Sequence, residues 1–352
     1  MVSSGASAAT RENRGVSLFA LSPSRGPRWP VATQAALGIA VPIAVMTLFG
    51  QAPLGYIAAS GAFTVLFAGS APAVDRIRIL PFVAAGLIAA AVLGVAAAAT
   101  PWPWLVGIGV VLVAVVSAAL CFGFRLGPPG PLFFVLVFGL SAHVVASSPI
   151  APAVYIAALA AGCGFSLVVA AAPLVLPRVR ARRARPFAEL FPGPTLDADA
   201  RMLLLRVAIV AVLGVLLGLV IDPTRTYWIV GSAVAVIGVA AARRAAFERG
   251  LHRMLGTVVG AGAYALLALL HPAGLWLALL LGALQFTIEL VVVRHYALAL
   301  VFITPLVLLL TGAATGEIGA LDVAFERIVD TVVGAALGAA SGLLHPRARA
   351  AR

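Results

Sequence analysis

The sequence contains no lysine, so all 24 of its basic residues are arginine. The absence of lysine excludes a phosphate-binding loop of the Walker A type and a lysine Schiff base, because both need that side chain. Charged residues are also scarce, at 10% of the chain against about 25% in soluble domains. Hydrophobic residues make up 62%. This balance indicates an integral membrane protein.

Catalytic sequence patterns are missing as well. The chain has no HExxH or GxSxG motif, so we expect neither enzyme activity nor a cofactor. Its two cysteines, Cys121 and Cys163, both lie inside apolar stretches, which favours two inert buried thiols over a disulfide or a metal site. The arginines fall between apolar runs rather than along one soluble face, so the net charge of +12 does not predict a nucleic-acid partner.

Twelve apolar segments follow a Ser-, Ala- and Arg-rich stretch at 1–30, which predicts a disordered tail. Most of them approach the roughly 20 residues that a helix needs to cross a bilayer. The fold class predicted is therefore an all-α polytopic membrane protein with about twelve transmembrane helices. The segments lie near 31–50, 54–71, 79–99, 103–122, 131–148, 152–176, 203–221, 227–242, 254–270, 274–293, 296–312 and 322–344.

The arginines show which ends of these segments share a side of the membrane. Counting connections alternately puts 22 of the 24 on one side, with Arg225 on the other side and Arg327 inside a helix. The positive-inside rule then predicts that both termini are cytoplasmic, with the lipid bilayer as surroundings. Tryptophans near the opposite helix ends suggest an aromatic belt. These are Trp102, Trp104, Trp228 and Trp276.

An arginine-rich linker at 178–202 divides the chain into two halves of six segments, 31–177 and 203–345, followed by a tail at 346–352. The halves resemble each other weakly at a shift of 169 residues. Because each half has an even number of segments, both have the same orientation, which is a parallel duplication.

The second half contains one motif twice. Residues 253–272 and 327–346 are identical at eleven of twenty aligned positions. The copies begin the ninth and twelfth helices, three spans apart, so they run in opposite directions. The match Arg225-Thr-Tyr227 with Arg294-His-Tyr296, at a shift of 69, extends the relationship to a three-plus-three inverted repeat. The less common matches are Arg253/Arg327, Thr257/Thr331, Gly260/Gly334, His271/His345 and Pro272/Pro346.

Inverted repeats of three helices are a recurrent plan of transporters, because two equivalent packings supply an inward-open and an outward-open state. The alternative is that the repeat records only duplication and efficient packing, and the glycines of the motif favour that explanation. The arginines are harder to explain by packing, since a charge inside a spanning helix costs roughly 2.5–3.5 kcal/mol.

Arg327 lies on one helical face with Asp330 and Thr331. That spacing predicts either a local ion pair with Asp330 or a charge that faces a substrate, and the two are compatible. Arg253 has Gly256 in place of the aspartate, which leaves it free to pair with Glu289.

Intramembrane carboxylates are candidates for proton coupling, and Glu289 and Asp330 are the two that we single out. Buried structural salt bridges are the alternative. In the first half the positions that correspond to Arg327 and Asp330 are Ala158 and Ala161. We therefore expect the chemistry in residues 203–345, with the first half as a scaffold or neutral wall.

His143, the first half's single histidine, is interpreted as a hydrogen-bonded core residue.

Four pieces of the second half resemble the fusaric acid resistance-like (FUSC) membrane domain of the aromatic acid exporter superfamily. They are Tyr227-Trp228, RMLGTVVG at 253–260, HYALALVFITPL at 295–306 and RIVDTVVG at 327–334. The resemblance implies an inner-membrane exporter of aromatic or other organic carboxylates, with plant malate channels as distant relatives. Many relatives carry a large soluble domain between their halves, whereas this chain has only the short linker.

By position, the family motif corresponds to Arg253, Thr257, Arg327, Asp330 and Thr331.

The predicted function is secondary export of a small organic anion, for which Tyr227 and Tyr296 flank opposite mouths of the path. The arginines attract the anion, while Glu289 and Asp330 couple protons. A passive anion channel and a non-transporting membrane scaffold or assembly protein remain open, as does a homo-oligomer.

Overall fold

The computed structural model describes residues 26–238, 242–316 and 318–344, and all regular structure in these ranges is helical. The predicted tail at 346–352 and nearly all of that at 1–30 lie outside the described residues. Every predicted apolar segment overlaps a helix. The helices are α1 Trp29–Leu48, α2 Ala52–Ala59, α3 Ala73–Ala98, α4 Trp104–Gly123, α5 Leu132–Ser147, α6 Pro152–Ala171, α7 Ala198–Ile221, α8 Thr226–Ile237, α9 Arg243–Ala268, α10 Gly274–Val291, α11 Tyr296–Thr315 and α12 Leu321–Ser341.

Nine helices of the described part are long and apolar enough to cross a membrane. This confirms an all-α, multi-pass membrane protein. The other three, α2, α5 and α8, are shorter, although a 3-10 turn at Ser60–Leu66 extends α2. Twelve spans in two six-helix halves therefore remain a prediction.

Helix α8 has only twelve residues, and all of them are buried. At about 1.5 Å per residue it spans roughly 18 Å, well short of a hydrocarbon core of about 30 Å. It ends where Gly238 takes a positive φ of 55°, a conformation that glycine adopts without a steric penalty. Such an interruption is tolerated at membrane depth because protein, rather than lipid, surrounds it.

Two helix starts differ from the sequence prediction. Helix α9 begins at Arg243 rather than near residue 254. The added first turns are rich in arginine, and an Arg244–Glu248 ion pair at i,i+4 spacing stabilises them as helix. Helix α7 begins at Ala198, where the Asp197 carboxylate accepts a hydrogen bond from the Ala200 amide and so caps the helix.

The packing follows the inverted repeat. Helix α8 packs mainly on α12, and α11 packs mainly on α9. The two contacts are equivalent under the inverted repeat, because α8 and α11 are the middle helices of the triplets α7–α9 and α10–α12. The doubled motif lies on α9 and α12, so it occupies both of these contacts.

Glycines of the motif explain why the helices can approach so closely. A Cβ on Gly334 would collide with the Ile229 carbonyl of α8. On Gly260 it would lie 2.8 Å from the Leu300 carbonyl of α11. The packing interpretation of these two glycines is therefore supported by their surroundings.

Long-range ion pairs join segments that the arginine alternation puts on the same side. Asp75 pairs with Arg185, and Arg28 with Glu289, at what we call the arginine-rich end. Arg225 and Glu326 meet at the opposite end. The orientation of these ends relative to the cytoplasm remains a prediction.

The aromatic-belt prediction is wrong for one residue. Trp102, Trp104 and Trp276 are exposed, whereas Trp228 is buried. Cys121 and Cys163 are both free and buried, in agreement with the interpretation as inert thiols.

Candidate functional site

A cavity of about 280 Å³ lies where α8 and α12 begin, opposite the arginine-rich end, and we call it the charged cavity. Helices α2, α5, α6 and α11 complete its wall. Its ionisable and aromatic lining residues are Tyr56, His143, Tyr155, Asp222, Arg225, Tyr227, Trp228, Glu326, Arg327 and Asp330.

Arg327 is the central cation of this cavity. It lies on the buried face of α12 with Asp330, Thr331 and Gly334, as the spacing predicted. Its guanidinium carbon is 3.9 Å from the centre of the Trp228 ring, which stabilises the charge through the ring quadrupole. Neither Nε nor Nη1 of Arg327 has a hydrogen-bond partner among the described residues.

The predicted local ion pair between Arg327 and Asp330 is not present. Asp330 instead faces Arg225, whose Nε lies 3.9 Å from a carboxylate oxygen, and neither oxygen of Asp330 accepts a hydrogen bond within the described ranges. Arg225 is already engaged by Asp222, at 3.2 Å, and by Glu326. Asp330 therefore remains a poorly neutralised, buried carboxylate at the cavity wall.

Arg253, the counterpart of Arg327 in the first copy of the motif, is hydrogen-bonded by both of its terminal nitrogens. Nη1 donates to the Tyr296 hydroxyl at 2.8 Å, and Nη2 donates to the Ser232 hydroxyl at 3.3 Å. The predicted pairing of Arg253 with Glu289 is therefore wrong.

Glu289 pairs with Arg28, 261 residues away, at 2.9 Å. Gln285, one turn earlier on α10, donates to the other carboxylate oxygen at 3.5 Å. This cluster lies at the arginine-rich end, so the structure does not bring the two proton-coupling candidates, Glu289 and Asp330, together.

The remaining site candidates lie along the two motif helices and their partners. Thr257 and Thr331 are buried and do not line the charged cavity. Tyr227 lines it, whereas Tyr296 lies with Arg253 toward the other end. The tyrosines thus sit on opposite sides of the bundle, although their role as mouths of a path stays a prediction.

Comparison with known proteins identifies the second half. Residues 206–341 match the family described as "Fusaric acid resistance protein-like". Over these residues the chain is similar to that family. The resemblance carried by the motif residues is therefore confirmed, and every site candidate named from the sequence lies inside this FUSC-like domain.

One curated relative is an uncharacterized membrane protein, YvaC, of Bacillus subtilis (strain 168). It is 34% identical over 114 residues, which are 32% of this chain and 18% of that protein. The chain thus matches less than a fifth of this relative's length. No solved structure matches the chain.

The carboxylates and arginines that line the charged cavity all lie in the second half, either in α12 or in the connection between α7 and α8. The first half nevertheless supplies polar groups to the wall. Tyr56 and Tyr155 contribute rings, and His143 lies 6.3 Å from the ring of Tyr227. The interpretation of His143 as a core residue is wrong, because it is partly exposed in the cavity.

Asp222 lies between α7 and α8, outside the spanning helices. Partial burial opposes its ionisation, but hydrogen bonds from Thr224 and the charge of Arg225 lower the pKa of this carboxyl overall. Asp222 is therefore ionised at neutral pH and holds Arg225 in place. Sequence reasoning used Arg225 for topology and for the inverted repeat, and Trp228 for the aromatic belt and the family resemblance, but it named neither as a site residue. Their positions close to Tyr227 in the sequence were the available signal.

Proposed function

We propose that the protein is a secondary transporter for small organic anions, and that the anion binds in the charged cavity of its FUSC-like domain. The observation that carries this proposal is the buried guanidinium of Arg327, held over Trp228 with two nitrogens unpartnered. A buried cation is costly unless it is hydrogen-bonded. A carboxylate ligand would satisfy it with two parallel hydrogen bonds, as arginine–carboxylate pairs commonly do.

The other walls favour an aromatic carboxylate. Tyr56, Tyr155, Tyr227 and Trp228 surround the space next to Arg327. Aromatic rings prefer offset-stacked or edge-to-face partners and gain from apolar burial. A volume of about 280 Å³ is at the small end of ligand pockets, so the proposed substrate carries one ring and one carboxylate.

The two copies of the motif differ in a way that suits alternating access. Arg327 lines a cavity, and its Nε and Nη1 have no hydrogen-bond partner in the described residues, whereas both terminal nitrogens of Arg253 donate to the hydroxyls of Tyr296 and Ser232. Inverted units can exchange such environments between two states. We propose that this structure is the state open beside α12, and that the opposite state exposes Arg253 and covers Arg327.

Asp330 supplies a means of linking binding to protons. Its carboxylate lies in the same wall as Arg327 and is far from fully neutralised by Arg225 at 3.9 Å. An incoming anion meets less repulsion when Asp330 is protonated, because like charges nearby disfavour each other. Proton binding and anion binding at this cavity therefore favour each other.

Export is the direction that we propose. The family is described as resistance-like, which suits removal of a harmful acid.

The test is flux through the purified full chain in liposomes. We expect saturable movement of a labelled one-ring aromatic carboxylate and little movement of its uncharged amide. Arg327→Gln should lose most of the flux. Arg294→Gln, which changes an exposed arginine away from the cavity, is the matched control. Unchanged saturable flux in well-folded Arg327→Gln would refute the site, and flux that never saturates and ignores pH would instead indicate a passive channel.

A further inference from the structure

A second and larger cavity, of about 600 Å³, lies between α3, α4 and α5 and under the linker helix Phe187–Leu190. We call it the apolar groove. It shares no lining residue with the charged cavity. Its lining is almost entirely hydrocarbon, and the hydroxyl of its one serine, Ser117, turns away to donate to the Val113 carbonyl of its own helix. Nothing in its walls would recognise the carboxylate of a transported anion.

The groove faces the side of the bundle and has the length of a lipid chain. Its wall on α3 runs from Ile79 to Leu93, which is about 21 Å at 1.5 Å per residue. Half of a hydrocarbon core is about 15 Å. Several of its side chains are exposed on the lipid-facing surface of the bundle, namely Phe82, Leu93, Leu112, Val116 and Phe187.

At the arginine-rich end of the bundle, the linker covers the groove and brings basic residues next to it. Phe187 and Phe191 of the linker pack on Phe82. Arg78 lies 4.9 Å from the centre of the Phe187 ring and donates to the Arg185 carbonyl. These contacts fix the linker against α3 at the groove's mouth.

Two further arginines lie in the same linker, shortly before Arg185. Arg185 is neutralised by Asp75. Arg182 and Arg183, in contrast, are exposed and form no ion pair in the described part of the chain. Basic residues next to a membrane helix attract anionic lipids, and basic pockets between helices bind their headgroups.

We propose that the apolar groove holds an acyl chain of an anionic phospholipid, whose phosphate lies against Arg182 and Arg183 at the mouth. The lipid comes from the leaflet at the arginine-rich end. It would clamp the linker onto α3 and so stabilise the segment that joins the two halves. Charge complementarity selects this occupant over a neutral lipid, because the linker that covers this end of the groove carries exposed arginines with no ion pair in the described part of the chain.

The probe is phosphatidylglycerol with a photoreactive group midway along one acyl chain, added to the full chain in nanodiscs of phosphatidylcholine. Labelled residues are mapped by mass spectrometry. We expect the label on α3 and α4 within the groove, and weaker labelling by the phosphatidylcholine analogue. Arg182→Gln/Arg183→Gln should weaken labelling by about fivefold for each arginine removed, whereas the control Arg243→Gln/Arg244→Gln, also exposed at this end, should not.

A second variant tests the groove without touching charge. Val116→Trp fills it, and we expect loss of the groove label. Leu216→Trp is the control, because Leu216 on α7 is 55% exposed against 56% for Val116 but lies outside the groove. Equal labelling by the two lipids, label spread evenly over the lipid-facing helices, or cross-linking to a second copy of the chain at the groove would each overturn the proposal.

Discussion

The guanidinium of Arg327 lies over the ring of Trp228, 3.9 Å from its centre, and two of its nitrogens have no hydrogen-bond partner in the described residues. Its repeat-mate Arg253 is instead held by two hydroxyl groups. The two arginines are equivalent in the repeat but differ in their hydrogen bonding. This difference links the architecture to the proposed transport, because inverted repeats can exchange the surroundings of equivalent residues between two states.

Tyr296→Phe removes the hydroxyl that holds Arg253 Nη1. We expect the state that exposes Arg253 to become more populated, since hydrogen bonds to charged groups contribute about 1.5–3 kcal/mol. Labelling of a cysteine introduced beside Arg253 should speed up at the arginine-rich end. Tyr264→Phe, which removes a hydroxyl bonded to the Gly319 amide, should leave that rate as it is.

Asp330→Asn should abolish the pH dependence of anion binding. In the parent protein, affinity should rise as pH falls, because protonation of Asp330 removes a negative charge from the wall that holds Arg327. The asparagine variant should bind well at every pH. Asp322→Asn, at an exposed position in the first turn of the same helix, provides the control; a pH profile that survives in Asp330→Asn would assign proton linkage to another group.

Glu289→Gln should destabilise the arginine-rich end without changing binding at the charged cavity. Loss of the charged partner of Arg28 should cost about 1–3 kcal/mol, because Glu289 is buried. Glu248→Gln breaks the exposed Arg244–Glu248 pair, and such pairs contribute little. Thermal unfolding in detergent separates the two; equal melting temperatures would show that the Arg28–Glu289 contact is not stabilising.

Gly260→Ala and Gly334→Ala should each impair folding, because a methyl group at either position runs into the carbonyl of the crossing helix. Gly262→Ala is a control on the same helix as Gly260, with nothing within 4 Å of the added carbon. It should be neutral or stabilising by up to about 1 kcal/mol, from helix propensity alone. The yield of monodisperse protein after extraction is the readout, and tolerance of both interfacial alanines would mean that the α8–α12 and α9–α11 crossings are looser than described.

The sequence predicted what depends on periodicity. The spacing of Arg327, Asp330 and Thr331 is enough to put them on one face of a helix, and that face is the buried one. The alternation of arginines likewise predicted which segment ends lie on the same side of the membrane, and the Asp75–Arg185 ion pair joins two such ends.

Partner choice across the fold could not be predicted in this way. Arg327 and Asp330 are three residues apart, so local spacing suggested a pair. In the structure the Arg327 guanidinium lies on Trp228 of α8, and the Asp330 carboxylate faces Arg225 in the turn before α8. The partner of Glu289 is 261 residues away. Such contacts depend on how helices pack rather than on any single helix.

The most direct test is equilibrium binding of a radiolabelled one-ring aromatic carboxylate to the purified full chain, compared between the parent protein, Arg327→Gln and Arg294→Gln. Melting temperatures establish that each variant is folded. The account predicts saturable binding that weakens at least about tenfold in Arg327→Gln, from the loss of charge-assisted hydrogen bonds, and that is unchanged in Arg294→Gln. Equal affinity in all three proteins would contradict it.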